Sequence, residues 1–268
     1  MQDRSCSPAG EDRAVIALFG PTGVGKTAVA LALARRLRAR GEDSVAVSAD
    51  ALQVYEGLET LTGVASARER AQLEHRLISF VAIGDRFSAG QYAKLAHAEI
   101  DGLLAQGRRP IVVGGTGLYL RAALTDLDFK PRPPGDPSQL WSEDVRRETL
   151  LVGLTMERGA LYGRIDERVE AILAAGAREE VLRAHAAGAS LTARKALGFE
   201  ELLAGDVEAM QRHTRNYARR QLSWMRKLAG VRLIDVTDRE ADEVAGEIVR
   251  ALDDGSARVD VHTAAGKA

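Results

Sequence analysis

The stretch Gly20-Pro21-Thr22-Gly23-Val24-Gly25-Lys26-Thr27 limits what this chain can fold into more than any other. It satisfies G-x-x-x-x-G-K-[ST]. In that motif glycines let backbone N–H groups turn inward around phosphate oxygens, the lysine adds a mobile cation, and the threonine hydroxyl can hold Mg²⁺. The motif needs a strand before it and a helix after it. Both are legible: Val15 to Phe19 is an apolar run closed by Gly-Pro, and apolar residues recur at helical spacing from Lys26 to Arg38. The helix N-terminus adds partial positive charge behind the loop.

The remainder extends the same alternation. Val45 to Ser48 reads as a second strand leading to Asp50, and residues 57 to 87 read as irregular and polar. Ala89 to Ala105 is helical, Ile111 to Val113 is a third strand running into Gly114-Gly115, and Gly117 to Leu124 is a helix. Residues 128 to 140 hold four of the seven prolines and form a connector. Leu150 to Leu154 is another buried-strand candidate, followed by mostly helical sequence to Leu228, a last strand at Val231 to Val236 and a closing helix from Asp238 to Leu252. Strands separated by helices predict right-handed crossovers and a parallel sheet. The expected fold class is therefore α/β, a P-loop NTPase-like parallel sheet flanked by helices, with a mostly helical C-terminal half. The expected divisions are a disordered N-terminus (1–13), a P-loop core (14–127), a Pro-rich connector (128–149), the rest of the core (150–253) and a disordered tail (254–268).

Composition narrows the function classes. The formal net charge of −1 excludes a globally basic nucleic-acid binder, though not a local basic patch. Cys6 is the only cysteine, which excludes an intramolecular disulfide and a cysteine-based metal site and fits a reducing cytoplasm. No apolar stretch approaches the ~18 residues of a membrane span, and the first residues carry no signal-peptide pattern. The chain reads as soluble and cytoplasmic.

The loop specifies a phosphate, not a reaction. A nucleotide hydrolase would place an Mg²⁺-holding acid at the end of a neighbouring strand, but the strand at Ile111 runs into Gly114-Gly115-Thr116. Asp50 ends a different strand, where a carboxylate can take a proton from a nucleophile beside the phosphate; the plainer reading is a turn or helix-cap residue. Residues 211 to 227 contain six Arg or Lys and no acid. On a helix, Arg212, Arg215, Arg219, Ser223 and Arg226 share a face suited to a phosphate backbone, while Tyr217 and Trp224 read as core. His75 and His213 read as structural.

Four segments follow the phosphate loop in order: SADALQVYEGL (48–58), RPIVVGGTGLYLRAAL (109–124), TARKALGFEELLAGD (192–206) and HTRNYARRQLSWMRK (213–227). Together they resemble the tRNA dimethylallyltransferase family, also called tRNA isopentenyltransferases. The resemblance implies that the loop, Gly20 to Thr27, holds dimethylallyl diphosphate rather than ATP, with Mg²⁺ on the Thr27 hydroxyl. It implies prenyl transfer to the exocyclic amine of the adenosine 3′ to a tRNA anticodon. It maps Asp50 onto the general base and Thr116 onto a Gly-Gly-Thr contact, with Lys26 as the third catalytic group. By the same resemblance tRNA is touched by Asp50, Ala51, Leu52 and Gln53; by Arg194, Lys195, Ala196, Leu197, Gly198 and Phe199; and by Arg219, Arg220, Gln221, Leu222, Ser223, Trp224, Met225 and Arg226. A monomer is the implied state.

Two departures stand out. The helical insertion that helps the family clasp the anticodon stem has no counterpart between Leu124 and Leu150, where only the connector lies. The family's Gly-Thr-Ala-Lys-Pro stretch is replaced by Leu61-Thr62-Gly63-Val64-Ala65-Ser66. Three rivals remain on sequence grounds: a prenyltransferase of free adenine nucleotides, a P-loop kinase with Asp50 as base, and a non-catalytic RNA-binding relative.

Overall fold

Residues 13–129, 139–141, 144–255 and 258–259 are described in the computed structural model. Residues 1–12 of the expected disordered N-terminus, half of the proline-rich connector and most of the tail lie outside them. Strand β1 (Val15–Phe19) is followed by α1 (Lys26–Ala39) and β2 (Ser44–Ser48). The stretch that reads as irregular contains two short helices, α2 (Glu59–Thr62) and α3 (Ala67–Arg70), and strand β3 (Glu74–Arg76). Single turns and a three-residue edge strand carry too few residues to leave a periodic signal. Next come α4 (Ala89–Ala105), β4 (Arg109–Gly114) and α5 (Gly117–Leu124). The second half brings β5 (Thr149–Thr155), α6 (Arg158–Ala174), α7 (Ala177–Ala186), α8 (Phe199–Ala204), α9 (Val207–Met225), β6 (Arg232–Asp235), α10 (Ala241–Asp253) and β7 (Arg258–Val259).

The sheet order is β3-β2-β4-β1-β5-β6, with every neighbouring pair parallel. The two residues of β7 pair antiparallel with the start of β5. This corrects the expectation of a tail without structure from 254 onward; a two-residue pairing is set by the sheet edge beside it, not by local sequence. The central strands are buried on both faces, as crossover helices require. Val15, Ala17 and Phe19 face α4 and α5, whereas Ile16 and Leu18 face α1 and α10. A third apolar cluster, including Val54, Tyr55, Leu58, Val169, Val181 and Phe199, joins the segment after β2 to helices α6 to α8.

This topology creates the site. From β1 the chain moves to β2 on one side, and from β4 it crosses to β5 on the other. Strands β1 and β4 are neighbours whose outgoing connections diverge, which opens a crevice at their carboxyl ends. The phosphate loop leaves β1 and Gly-Gly-Thr leaves β4 at that crevice.

Candidate active site

Backbone conformation builds the loop before any side chain does. Gly25 has φ +97°, a left-handed conformation that side-chain-bearing residues rarely adopt. It turns the chain into α1, so that Lys26 and Thr27 begin the helix. The Lys26 ammonium donates to the carbonyls of Gly20 at 2.9 Å and Pro21 at 3.0 Å. Burial lowers its pKa to about 8, against the raising effect of Asp50 and with a further lowering from Arg168.

Lys26, Thr27, Asp50, Gln53, Arg168 and Tyr217 line one cavity of about 720 Å³. Asp50 sits two residues past β2, in a turn in which its Oδ1 accepts the Leu52 N–H at 3.0 Å. The turn and the functional readings of this aspartate are thus compatible: one oxygen shapes the turn, and the side chain still lines the cavity. Thr116 caps α5 and is not part of the cavity wall. Its Oγ1 accepts the Ala51 N–H at 3.4 Å and lies 3.5 Å from the Tyr217 hydroxyl, which is in the wall. Gly20, Pro21 and Val24 lie behind the lining.

Tyr217 corrects the sequence reading of that residue as core. Burial, then the charge of Asp50, pushes its pKa up to about 12, so at neutral pH it stays a phenol able to donate a proton in a hydrogen bond. Gln221, one turn later, is buried and joins two loops. Its Oε1 accepts the Thr22 N–H at 2.9 Å, and its Nε2 donates to the Gly115 carbonyl at 2.8 Å. We expect Gln221→Ala to lose about 1–3 kcal/mol of stability by orphaning both backbone groups. Urea unfolding is the measurement; an unchanged midpoint would remove the strut.

Several cavity residues escape the sequence reading altogether, two arginines and the acids Glu69 and Glu167 among them. Arg164 and Arg168, one turn apart on α6, extend to the cavity. Arg168 donates to the Thr62 carbonyl at 3.3 Å, and its pKa is held below the ordinary arginine value by burial, against the pull of Asp50. The available signal was the R-x-x-x-R spacing next to the buried stripe Leu161, Ile165 and Val169. Which partner that stripe meets is not written in it.

The positions mapped to tRNA divide by burial. Lys195, Arg219, Arg220, Ser223 and Arg226 are exposed; Ala51, Leu52, Gln53, Arg194, Leu197, Leu222 and Trp224 are half-buried. Ala196, Gly198, Phe199, Gln221 and Met225 are buried, so their side chains belong to the interior. Arg194 pairs with Glu200 at 2.8 Å. Arg215 leaves the proposed basic face: it is half-buried and pairs with Asp166 of α6 at 2.6 Å, clamping two helices together. Among the described residues no group of three or more His, Cys, Asp or Glu is arranged to hold a metal, and no helix is long and apolar enough to cross a membrane.

The chain is similar to known proteins in sequence and in fold. The profile of the IPP transferase family matches residues 53–149 and 135–228. Its two pieces meet within the connector. The tRNA dimethylallyltransferase of Geobacillus thermodenitrificans is 30% identical over 92% of this chain and 98% of its own. That alignment spans 315 positions against a chain of 268 residues, so the relative carries segments absent here. The tRNA dimethylallyltransferase of Rhodospirillum centenum is 36% identical over 84% of this chain and 93% of its own. Among solved structures, the full-length tRNA isopentenylpyrophosphate transferase of Bacillus halodurans superposes with a TM-score of 0.77 at 25% identity, covering 91% of this chain and 98% of that one. With the fold, the loop and these likenesses in agreement, the chain belongs to the IPP transferase family, the tRNA dimethylallyltransferases.

Proposed function

We propose that this chain transfers a dimethylallyl group from dimethylallyl diphosphate to the exocyclic amine of the adenosine 3′-adjacent to a tRNA anticodon. The observation that carries the reading is one cavity walled by a phosphate loop, Asp50 and two arginines. A kinase does not need two further arginines beside Lys26 in that cavity together with a basic helix.

In this reading the loop amides, Lys26, Arg164 and Arg168 bind the diphosphate and neutralise the charge that develops as it leaves. The bond from the allylic carbon to the diphosphate oxygen breaks, and its electron pair departs with the diphosphate. A bond from the adenine nitrogen to that carbon forms, and the amine proton passes to Asp50. Asp50 also strengthens the nucleophile by accepting a hydrogen bond from it, since the amine lone pair is delocalised into the ring. The base must leave its stack to enter the cavity. Tyr217 and Thr116 orient it at the rim.

The donor set suits Mg²⁺: the Thr27 hydroxyl lines the cavity, hard oxygen ligands are what this ion prefers, and it binds readily through substrate phosphates. When bound there, Mg²⁺ would supply further neutralisation of the diphosphate charge. The exposed Lys195, Arg219, Arg220 and Arg226 would meet tRNA phosphates.

The test incubates the full chain with dimethylallyl diphosphate and Mg²⁺ and, in parallel, an anticodon stem-loop with adenosine after the anticodon, AMP, and ATP plus a hydroxyl acceptor. Prenylated stem-loop is the expected product. Product on AMP alone would move the substrate to free nucleotides, and loss of the ATP γ-phosphate to an acceptor would make the protein a kinase.

A further inference from the structure

The carboxyl-terminal end of α9 carries a second concave surface, outside the reaction cavity. It has a volume of about 500 Å³ and is lined by Asn216, Arg219, Arg220, Ser223, Trp224 and Lys227. None of these is acidic, and among the described residues Arg219, Arg220 and Lys227 make no ion pair. Trp224 forms its floor. The indole covers Gly117, where a Cβ would collide with the ring, and packs 6.4 Å from Phe19, the residue before the phosphate loop. The floor therefore abuts Thr116 and the mouth of the reaction crevice.

Trp141 packs beside this surface, against Trp224 and Lys227. It lies in the 3-10 turn Gln139–Trp141, within the connector between α5 and β5. Its ring is 4.7 Å from that of Trp224, centroid to centroid, tilted by 53°. Trp224 packs against an apolar cluster of the core, whereas Trp141 is half-buried and belongs to none of the three clusters. The Lys227 ammonium sits 5.3 Å from the Trp141 ring centroid.

We propose that Trp141 and Trp224 form a stacking shelf for an unpaired nucleotide of the anticodon loop, substituting for the clasp that the missing insertion would provide. The inference rests on the tRNA reading above. An aromatic face rimmed by three cations and two neutral polar side chains, with no acid, fits single-stranded RNA, because every base offers a π-face and every linkage an anion. It does not fit an apolar protein partner, which would have to bury three unpaired cations. On binding, the base takes the exposed face of Trp141, and the Lys227 ammonium moves from the ring to the adjoining phosphate. Arg219 and Arg220 meet the flanking phosphates.

The chain has only two tryptophans, and both are in the shelf, so indole fluorescence reports its occupancy directly. A stem-loop RNA is titrated into the full chain at several salt concentrations. Wild-type protein is expected to show quenching on binding. Trp141→Ala is expected to bind about tenfold more weakly with an unchanged salt slope, whereas Arg220→Ala lowers the slope by about one. In turnover, Trp141→Ala raises KM for the stem-loop and leaves kcat alone. Trp141→Phe retains binding, and Trp141→Leu, which fills the same space without a π-face, behaves like alanine. Wild-type affinity in the alanine and leucine variants, beside a wild-type enzyme that prenylates the stem-loop, overturns the shelf alone. Failure of the wild-type enzyme to bind or modify the stem-loop overturns both readings.

Discussion

Asp50→Asn is expected to lower kcat for prenyl transfer by about a hundred- to ten-thousand-fold, the range over which a positioned general base contributes. The substitution is nearly isosteric. The amide oxygen can still accept the Leu52 N–H that Oδ1 now accepts, so the turn after β2 is retained. What disappears is basicity toward the adenine amine. Single-turnover measurement with dimethylallyl diphosphate and a stem-loop isolates this step, and diphosphate affinity, measured separately, should change little. A rate within about threefold of wild type would leave the proton acceptor to another group and reduce Asp50 to its turn.

Lys26→Ala is expected to lower kcat by about a hundred- to a thousand-fold, comparable to removing one donor aimed at developing negative charge. Lys26→Arg should rescue little, because the planar guanidinium cannot replace a compact ammonium folded against the carbonyls of Gly20 and Pro21. The lysine also sets a pH dependence. In the free protein its pKa is about 8, so kcat/KM for the diphosphate should fall as pH rises through 8 and the ammonium is lost. Bound diphosphate favours the charged form, so the corresponding limb of kcat lies at higher pH. For stability the sign is opposite: between about 8 and the ordinary lysine value of 10.5 the unfolded chain binds more protons, so this group makes folding more favourable as pH rises across that window. A kcat/KM profile flat to pH 10 would show that the lysine charge is not needed for capture.

Several features were legible from the chain because their causes are local. The phosphate loop follows from glycine placement between an apolar strand and a helix, and β2, β4, α4 and α5 follow from short apolar runs and capped periodic segments. Asp50 could be singled out because it closely follows a strand that ends near that loop. The boundaries fell short at β4, which runs from Arg109 to Gly114. Arg109, Pro110 and Gly114, outside the expected strand Ile111 to Val113, lie inside it. The short elements α2, α3 and β3 were not legible, since neither a four-residue helix nor an edge strand with one exposed and two half-buried residues has a period to read.

The errors on α9 share one physical origin. Periodicity identifies which residues of a helix share a face, but not what that face meets. Tyr217 and Trp224 are spaced like core residues; α9 packs so that Tyr217 enters the reaction cavity and Trp224 forms a half-buried floor beside it. Arg215 is spaced like Arg219 but meets Asp166 of α6 instead of solvent. Gln221 looks like a polar surface residue and is a buried strut.

The sequence by itself determined the chemistry class, because a phosphate loop is a backbone conformation encoded within eight adjacent residues, and it determined the family through four ordered segments. Only the tertiary structure decided the membership of the site. The divergence of connections at β1 and β4 opens the crevice, α6 brings two arginines into the cavity that Lys26 lines, and α9 delivers Tyr217 and Gln221. Those residues lie more than a hundred positions from the loop, and no short-range pattern specifies where packing will bring them.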